Sequence, residues 1–228
     1  MISFVFNDYL GLSHHPEVIK AGIDALEQYG AGAGASPLIG GHNFLHEQLE
    51  QEIAHFLKNE YAITYTSGYA ANCSTLLAMM DKEDIAIMDM FTHASVFDGC
   101  LCTNTKRFLH NNIDSLVHVL NNSKNFKNRF VIIDGVYSQD GDIAFLDQIY
   151  AVCKEHDAFL IVDDAHGIGV LGKTGRGIIE DYGLLDKVDM ITGTFSKAFG
   201  CVGGYAIARK EIITLLRYYS RQHIFSAA

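Results

Sequence analysis

The 228-residue sequence predicts an α/β fold with a mostly parallel central sheet covered by helices on both faces. Three observations carry that prediction. Short apolar runs alternate with stretches whose apolar residues recur at helical spacing, the pattern of strands buried on both sides. Glycine is frequent, at 21 residues, and proline scarce, at 2, which suits tight strand-to-helix turns. Side chains able to do chemistry fall directly after the apolar runs, where open α/β sheets bind their ligands.

The elements follow in chain order. Leu45, Leu49, Ile53, Phe56 and Leu57 are spaced for a helix over 45–57. An apolar run over 69–80 follows Ser67 and Gly68 and suits a second helix. Residues 130–133 form a short β-rich run that ends at Asp134 and Gly135. Leu146, Ile149, Val152 and Cys153 share one helical face over 144–156. Residues 159–162 predict a buried strand ending in Asp163 and Asp164, and 190–192 and 205–208 predict two more. The asparagine-rich patch at 121–128 predicts a surface loop.

Composition narrows the function. The net charge of −10, with no basic run, argues against nucleic acid or an anionic membrane surface as partner. Cys73, Cys100, Cys102, Cys153 and Cys201 form no Cys-x-x-Cys pair, so no zinc site is expected. They read as reduced thiols of a cytoplasmic protein. No stretch reaches the ~18 consecutive apolar residues of a membrane-spanning helix. The N-terminus lacks the pattern of a signal peptide.

Five places carry chemistry. Lys197 lies between Gly193 and Gly200, with Thr194 and Ser196 beside it. A Schiff-base lysine must be rigidly held with a lowered pKa, although a lone lysine is more often a solvated surface residue. Asp163 ends a strand, where a carboxylate can pair with a protonated pyridine nitrogen, and His166 follows three residues on. The alternatives are a turn-capping aspartate and a core histidine, and Asp163 with Asp164 also raises a divalent metal, for which no third carboxylate is suitably placed. Thr66 to Asn72 opens a helix, and free amides at a helix start bind phosphate. There Ser67 is also an ordinary N-cap. His93 is an imidazole able to stack on a flat ring. The segment from Gly30 to Gly34, with Ser36, Gly40, Gly41 and His42, matches neither a P-loop nor the dinucleotide fingerprint. It reads as a loop able to close over a substrate.

In this order the segments resemble the α-oxoamine synthases, fold-type I enzymes dependent on pyridoxal phosphate. The resemblance rests on Asn7-Asp8-Tyr9-Leu10-Gly11-Leu12, the Gly/Ala loop at 30–36, Ser67-Gly68-Tyr69-Ala70-Ala71-Asn72, His93-Ala94-Ser95, Gly135-Val136-Tyr137-Ser138, Asp163-Asp164-Ala165-His166-Gly167 and Thr194-Phe195-Ser196-Lys197. It covers essentially the whole chain. It implies that Lys197 carries the cofactor as a Schiff base and moves the Cα proton. It implies that Asp163 pairs with the pyridine nitrogen, that His166 and Ser138 contact the phenolic oxygen, and that His93 stacks on the ring. The amides of Gly68 and Tyr69 would bind the phosphate with help from Thr194, and Asn72 would complete the cofactor site. The implied activity joins an amino acid to an acyl-CoA or acyl-carrier-protein thioester with loss of carbon dioxide, and the best-fitting pair is alanine and a pimeloyl thioester. A homodimer with shared sites is implied too. Two positions depart from the usual pattern: Pro37 stands where Arg or Thr is usual, and Asp134 where Glu is usual.

The same resemblance divides the chain into residues 1–40, an N-terminal segment with the Gly-rich loop, and 41–228, a cofactor-binding large domain. The C-terminal small domain and its carboxylate-gripping arginine are expected to lie outside this sequence. An aminotransferase would share Lys197 and Asp163 but would release no thiol. A non-catalytic partner subunit is disfavoured by the presence of Lys197.

Overall fold

The computed structural model describes residues 5–227. Strands β1 (Ala62–Tyr65), β2 (Ile85–Asp89), β3 (Asn104–Phe108), β4 (Arg129–Asp134), β5 (Phe159–Asp163), β6 (Met190–Thr194) and β7 (Gly204–Ala208) form one sheet. Their order is β1-β7-β6-β5-β4-β2-β3. The pairs β2–β3, β2–β4, β4–β5 and β5–β6 are parallel. Strand β7 runs antiparallel to both β1 and β6. The sheet is therefore mostly parallel, as the alternating pattern predicts.

Among the described residues nine helices surround it: α1 (Pro16–Tyr29), α2 (Phe44–Phe56), α3 (Gly68–Met79), α4 (Ala94–Gly99), α5 (Ile113–Asn121), α6 (Leu146–Glu155), α7 (Ile178–Asp181), α8 (Lys210–Tyr219) and α9 (Arg221–Ile224). Successive strand side chains point to opposite faces, and the core divides accordingly. Ile85, Ile87, Val131, Ile133, Leu160 and Val162 pack with α2, α5 and α6. Ala86, Met88, Phe130, Ile132, Ile161 and Met190 pack with α3, α4 and α8. Each large aliphatic side chain fully buried this way stabilises the fold by about 1.5–3 kcal/mol. Strands buried on both faces cannot alternate apolar with polar, which is why they read as continuous apolar runs.

The helices expected over 45–57, 69–80 and 144–156 are α2, α3 and α6, each within two residues at its ends. Strand β3 has no apolar signature, because its sequence Asn-Thr-Lys-Arg-Phe lies at the sheet edge and is mostly exposed. Charged side chains on an edge strand deter pairing with another chain. Helix α1 carries Ile19, Ile23 and Leu26 on one stripe, yet none of its residues is buried.

The register decides where chemistry can gather. Asp134 pairs with Asp163 across β4 and β5, and Asp163 with Thr192 across β5 and β6. The carboxyl ends of three central strands thus lie side by side.

Candidate active site

A cavity of about 220 Å³ opens at those strand ends, lined among others by Asn72, His93, Asp134, Asp163, His166 and Lys197. Its anion-binding end is the start of α3. The Ser67 hydroxyl accepts from Ala70 N–H at 3.0 Å, and the Ser67 carbonyl accepts from Ala71 N–H at 2.9 Å. The N–H groups of Gly68 and Tyr69 are left for a ligand, as at any helix start. Gly68 is required by space: a Cβ there would lie 2.9 Å from the Thr194 Cβ. Thr194 Oγ1 and Ser196 Oγ, 2.8 Å apart, add hydroxyls beside those amides. A phosphate fits this donor set.

The opposite wall suits a flat cationic ring. Asp163 is buried at the end of β5. Its Oδ1 accepts from Ala165 N–H at 3.0 Å and its Oδ2 from Asn72 Nδ2 at 2.6 Å. The same Asn72 amide donates to Ser95 Oγ at 2.9 Å. Ser95 Oγ in turn meets His93 Nδ1 at 2.7 Å, and Ser95 N–H donates to that nitrogen at 3.3 Å. The chain Asp163–Asn72–Ser95–His93 therefore holds Nδ1 as an acceptor and leaves the proton on Nε2. Asp134, one methylene shorter in reach than the usual Glu, accepts from His93 N–H at 3.3 Å. Burial, with Asp163 beside it, holds the Asp134 carboxyl well above the usual range.

Lys197 Nζ lies 2.7 Å from His166 Nε2. Burial lowers the Lys197 pKa, and Asp163 and Asp134 oppose that shift. Burial, and then the Lys197 charge, push His166 down to about 4, so the imidazole is neutral at neutral pH. His166 Nδ1 meets Tyr9 Oη at 2.6 Å. Tyr9 reaches it because the 8–13 turn sits directly on the Lys197 loop. A Cβ at Gly200, whose φ is +66°, would lie 2.2 Å from Ser13 N. Within that turn, Ser13 Oγ donates to Asp8 at 2.5 Å.

The structure gathers Lys197, Asp163, His166, His93, Asn72, Gly68, Tyr69 and Thr194 around one cavity. Ser138 is not among its lining residues. It is exposed in the turn after β4, where Tyr137 N–H donates to Asp142 O at 2.9 Å and Gly141 N–H to Tyr137 O at 2.8 Å. That turn follows the carboxyl end of β4, and it is Asp134, at the strand end itself, that lines the cavity. The Gly-rich segment Gly30–Ala33 lines a separate hollow against α2. Asp164 is structural. It is buried, with Oδ2 accepting from Ile178 N–H at 2.9 Å, and Cβ atoms at Gly135, Gly167 and Gly177 would all collide with it. No cluster of three metal-ligating residues occurs among the described residues.

Sequence reasoning did not assign Tyr9, Ser95, Asp134 or Ser196 to the site. Tyr9, Ser95 and Ser196 lie within motifs that carry the family resemblance, and Asp134 departs from it, so each leaves a signal in the sequence. Their roles emerge only from their neighbours in space.

Comparison with known proteins adds to this geometry. The chain is 42% identical over 230 residues to 8-amino-7-oxononanoate synthase 1 of Bacillus subtilis, covering 100% of this chain and 59% of that protein. It is 44% identical over 225 residues to 8-amino-7-oxononanoate synthase of Geotalea daltonii, covering 97% of this chain and 57% of that one. The serine palmitoyltransferase of S. paucimobilis, solved with a bound PLP-myriocin aldimine, superposes with a TM-score of 0.94 at 36% identity. That match covers 98% of this chain and 56% of the palmitoyltransferase. The chain thus spans less than two thirds of the length of these relatives. The family model for aminotransferase class I and II matches residues 1–228, and the chain belongs to that family, in its α-oxoamine synthase group, with pyridoxal phosphate as cofactor.

Proposed function

We propose that the full-length protein is an 8-amino-7-oxononanoate synthase. It would condense L-alanine with a pimeloyl thioester, on coenzyme A or acyl-carrier protein, releasing carbon dioxide and the free thiol. It would act in the cytoplasm as a homodimer. The observation that carries this reading is one cavity holding Lys197, with its amine 2.7 Å from a neutral imidazole, and the buried Asp163 carboxylate below the open amides of α3. The 42% identity to the Bacillus subtilis synthase supports the choice of substrates.

Pyridoxal phosphate, when bound, supplies an electron sink that makes a Cα carbanion accessible. The chain's own residues do the rest. Gly68 N–H, Tyr69 N–H and the Thr194 hydroxyl would hold the phosphate. Asp163, kept in place by Asn72 and Ala165, would keep the pyridine nitrogen protonated and so favour electron withdrawal. His93, fixed through Ser95, would cover one ring face. The lowered pKa of Lys197 makes its amine available first as a nucleophile and then as the base that takes the Cα proton. His166 is positioned to donate to an oxygen while remaining uncharged.

The test is thiol release by the full-length protein, with alanine, glycine and serine each offered with pimeloyl-CoA and with a long-chain acyl-CoA. Release with alanine, abolished in Lys197→Ala, is expected. Amino-group transfer to a keto acid without thiol release would overturn the assignment, as would a borohydride-stable cofactor adduct in Lys197→Ala. Turnover restricted to serine with a long-chain acyl-CoA would replace the substrates by those of the palmitoyltransferase.

A further inference from the structure

Tyr9 is 41% exposed, yet its hydroxyl makes the contact that completes His166. The imidazole is bonded at both edges, Nε2 to Lys197 Nζ at 2.7 Å and Nδ1 to Tyr9 Oη at 2.6 Å. Tyr9 Oη also lies 3.3 Å from Asn7 Oδ1. A neutral imidazole carries one proton, so its two edges must play opposite roles. An ammonium at Lys197 donates to Nε2, which places the ring proton on Nδ1. Tyr9 then accepts from Nδ1–H and donates to Asn7. A neutral amine at Lys197 instead accepts from Nε2–H. Nδ1 is then bare, and Tyr9 turns its hydroxyl proton from Asn7 to Nδ1. A phenol can serve both arrangements because it both donates and accepts.

We propose that Tyr9 is a positioning residue that couples the tautomer of His166 to the protonation state of Lys197 and gives the Lys197 proton a route to water. The step balances. A Lys197 N–H bond breaks as Nε2–H forms, Nδ1–H breaks as a second Tyr9 O–H forms, and the original Tyr9 proton passes to solvent water. Lysine ends as neutral amine, histidine stays neutral, and tyrosine stays a phenol. The other titratable groups facing this pair are Asp163 and Asp134 toward Lys197, and His93 and Asp163 toward His166. None of them contacts Nδ1. The proposal rests on Lys197 being the cofactor-bearing amine, but its test needs no cofactor, so the two can fail separately.

The experiment is nitrogen NMR of the full-length apoprotein with labelled histidine, His166 being assigned by its loss in His166→Asn. Lys197 is followed by its Cε signal, assigned through Lys197→Ala. As pH rises through the Lys197 ionisation, Nδ1 is expected to lose its proton and Nε2 to gain one, with a shared midpoint. Asn7→Ala removes an acceptor used only in the ammonium state, so the Lys197 midpoint should fall by about a few tenths to one pH unit, the worth of one neutral hydrogen bond. In Tyr9→Phe the ammonium still sets the ring proton on Nδ1 below the Lys197 midpoint, but above it the donor to Nδ1 is gone, and an averaged tautomer mixture is expected there, with an unchanged far-ultraviolet spectrum. A single His166 tautomer across the whole Lys197 titration in the unmodified protein overturns the proposal. So does an Asn7→Ala midpoint that stays or rises, or a Tyr9→Phe protein that still converts fully to the Nε2–H tautomer above the Lys197 midpoint.

Discussion

Replacing Asn72 by alanine tests the wiring of the site. Asn72 is buried in α3, and its amide makes two bonds, 2.6 Å to Asp163 Oδ2 and 2.9 Å to Ser95 Oγ. A bond to a charged group contributes about 1.5–3 kcal/mol, and one between neutral groups about 0.5–1.5 kcal/mol. Alanine returns about 0.5 kcal/mol through its better helix propensity. The expected loss is therefore about 1.5–4 kcal/mol, larger than a typical point substitution. Urea unfolding of the apoprotein measures it through the midpoint at unchanged slope. Asn72→Asp should cost at least as much, since it sets a carboxylate where the donor to Asp163 was. Two results would refute the reasoning: a loss below about 0.5 kcal/mol in Asn72→Ala, within the range of an ordinary surface change, or a more stable Asn72→Asp.

Two further outcomes follow from the packing. Gly177 has φ +86°, and a Cβ there would lie 1.8 Å from Asp164 Oδ2. Gly177→Ala should cost about 3 kcal/mol or more, from left-handed strain plus displacement of a buried carboxylate. A thermal melt within a degree or two of the parent protein would contradict this. His110 is clamped between Asp89 at 2.9 Å and Asp142 at 2.8 Å. Burial works against its charge, but bonds to the two carboxylates prevail and its pKa is raised. The clamp's contribution is thus complete below about pH 6.5, the unperturbed histidine value, and fades as pH rises through the higher folded value. The stability gap between the parent protein and His110→Gln should narrow from pH 6 to pH 9 in urea titrations; a gap that widens would reverse the sign of the linkage.

Local chemistry made much of this molecule legible before any coordinates. Strands buried on both faces must be apolar throughout, so β4 to β7 were visible as runs, although the equally buried β1 and β2 were not assigned, and of the helices α2, α3 and α6 were visible. Lys197, Asp163 and His166 were found because ligands gather at strand ends, and Gly68 because helix starts bind anions. What sequence cannot express is distance between segments. Edge strand β3 buries almost nothing and leaves no apolar pattern. Ser138 follows its strand closely in sequence, but the turn at 137–142 takes it away from the cavity and leaves Asp134 there. Asp163 and Asp164 are neighbours with opposite orientations, because successive residues at a strand end face opposite sides: one enters the cavity, the other is enclosed by glycines. Tyr9 joins His166 across 157 residues of chain only because the 8–13 turn packs on Gly200. The sequence by itself determined which elements form and which side chains are chemically able. Tertiary packing decided which of them share one cavity, because register, turn direction and close glycine contacts are properties of the assembled sheet.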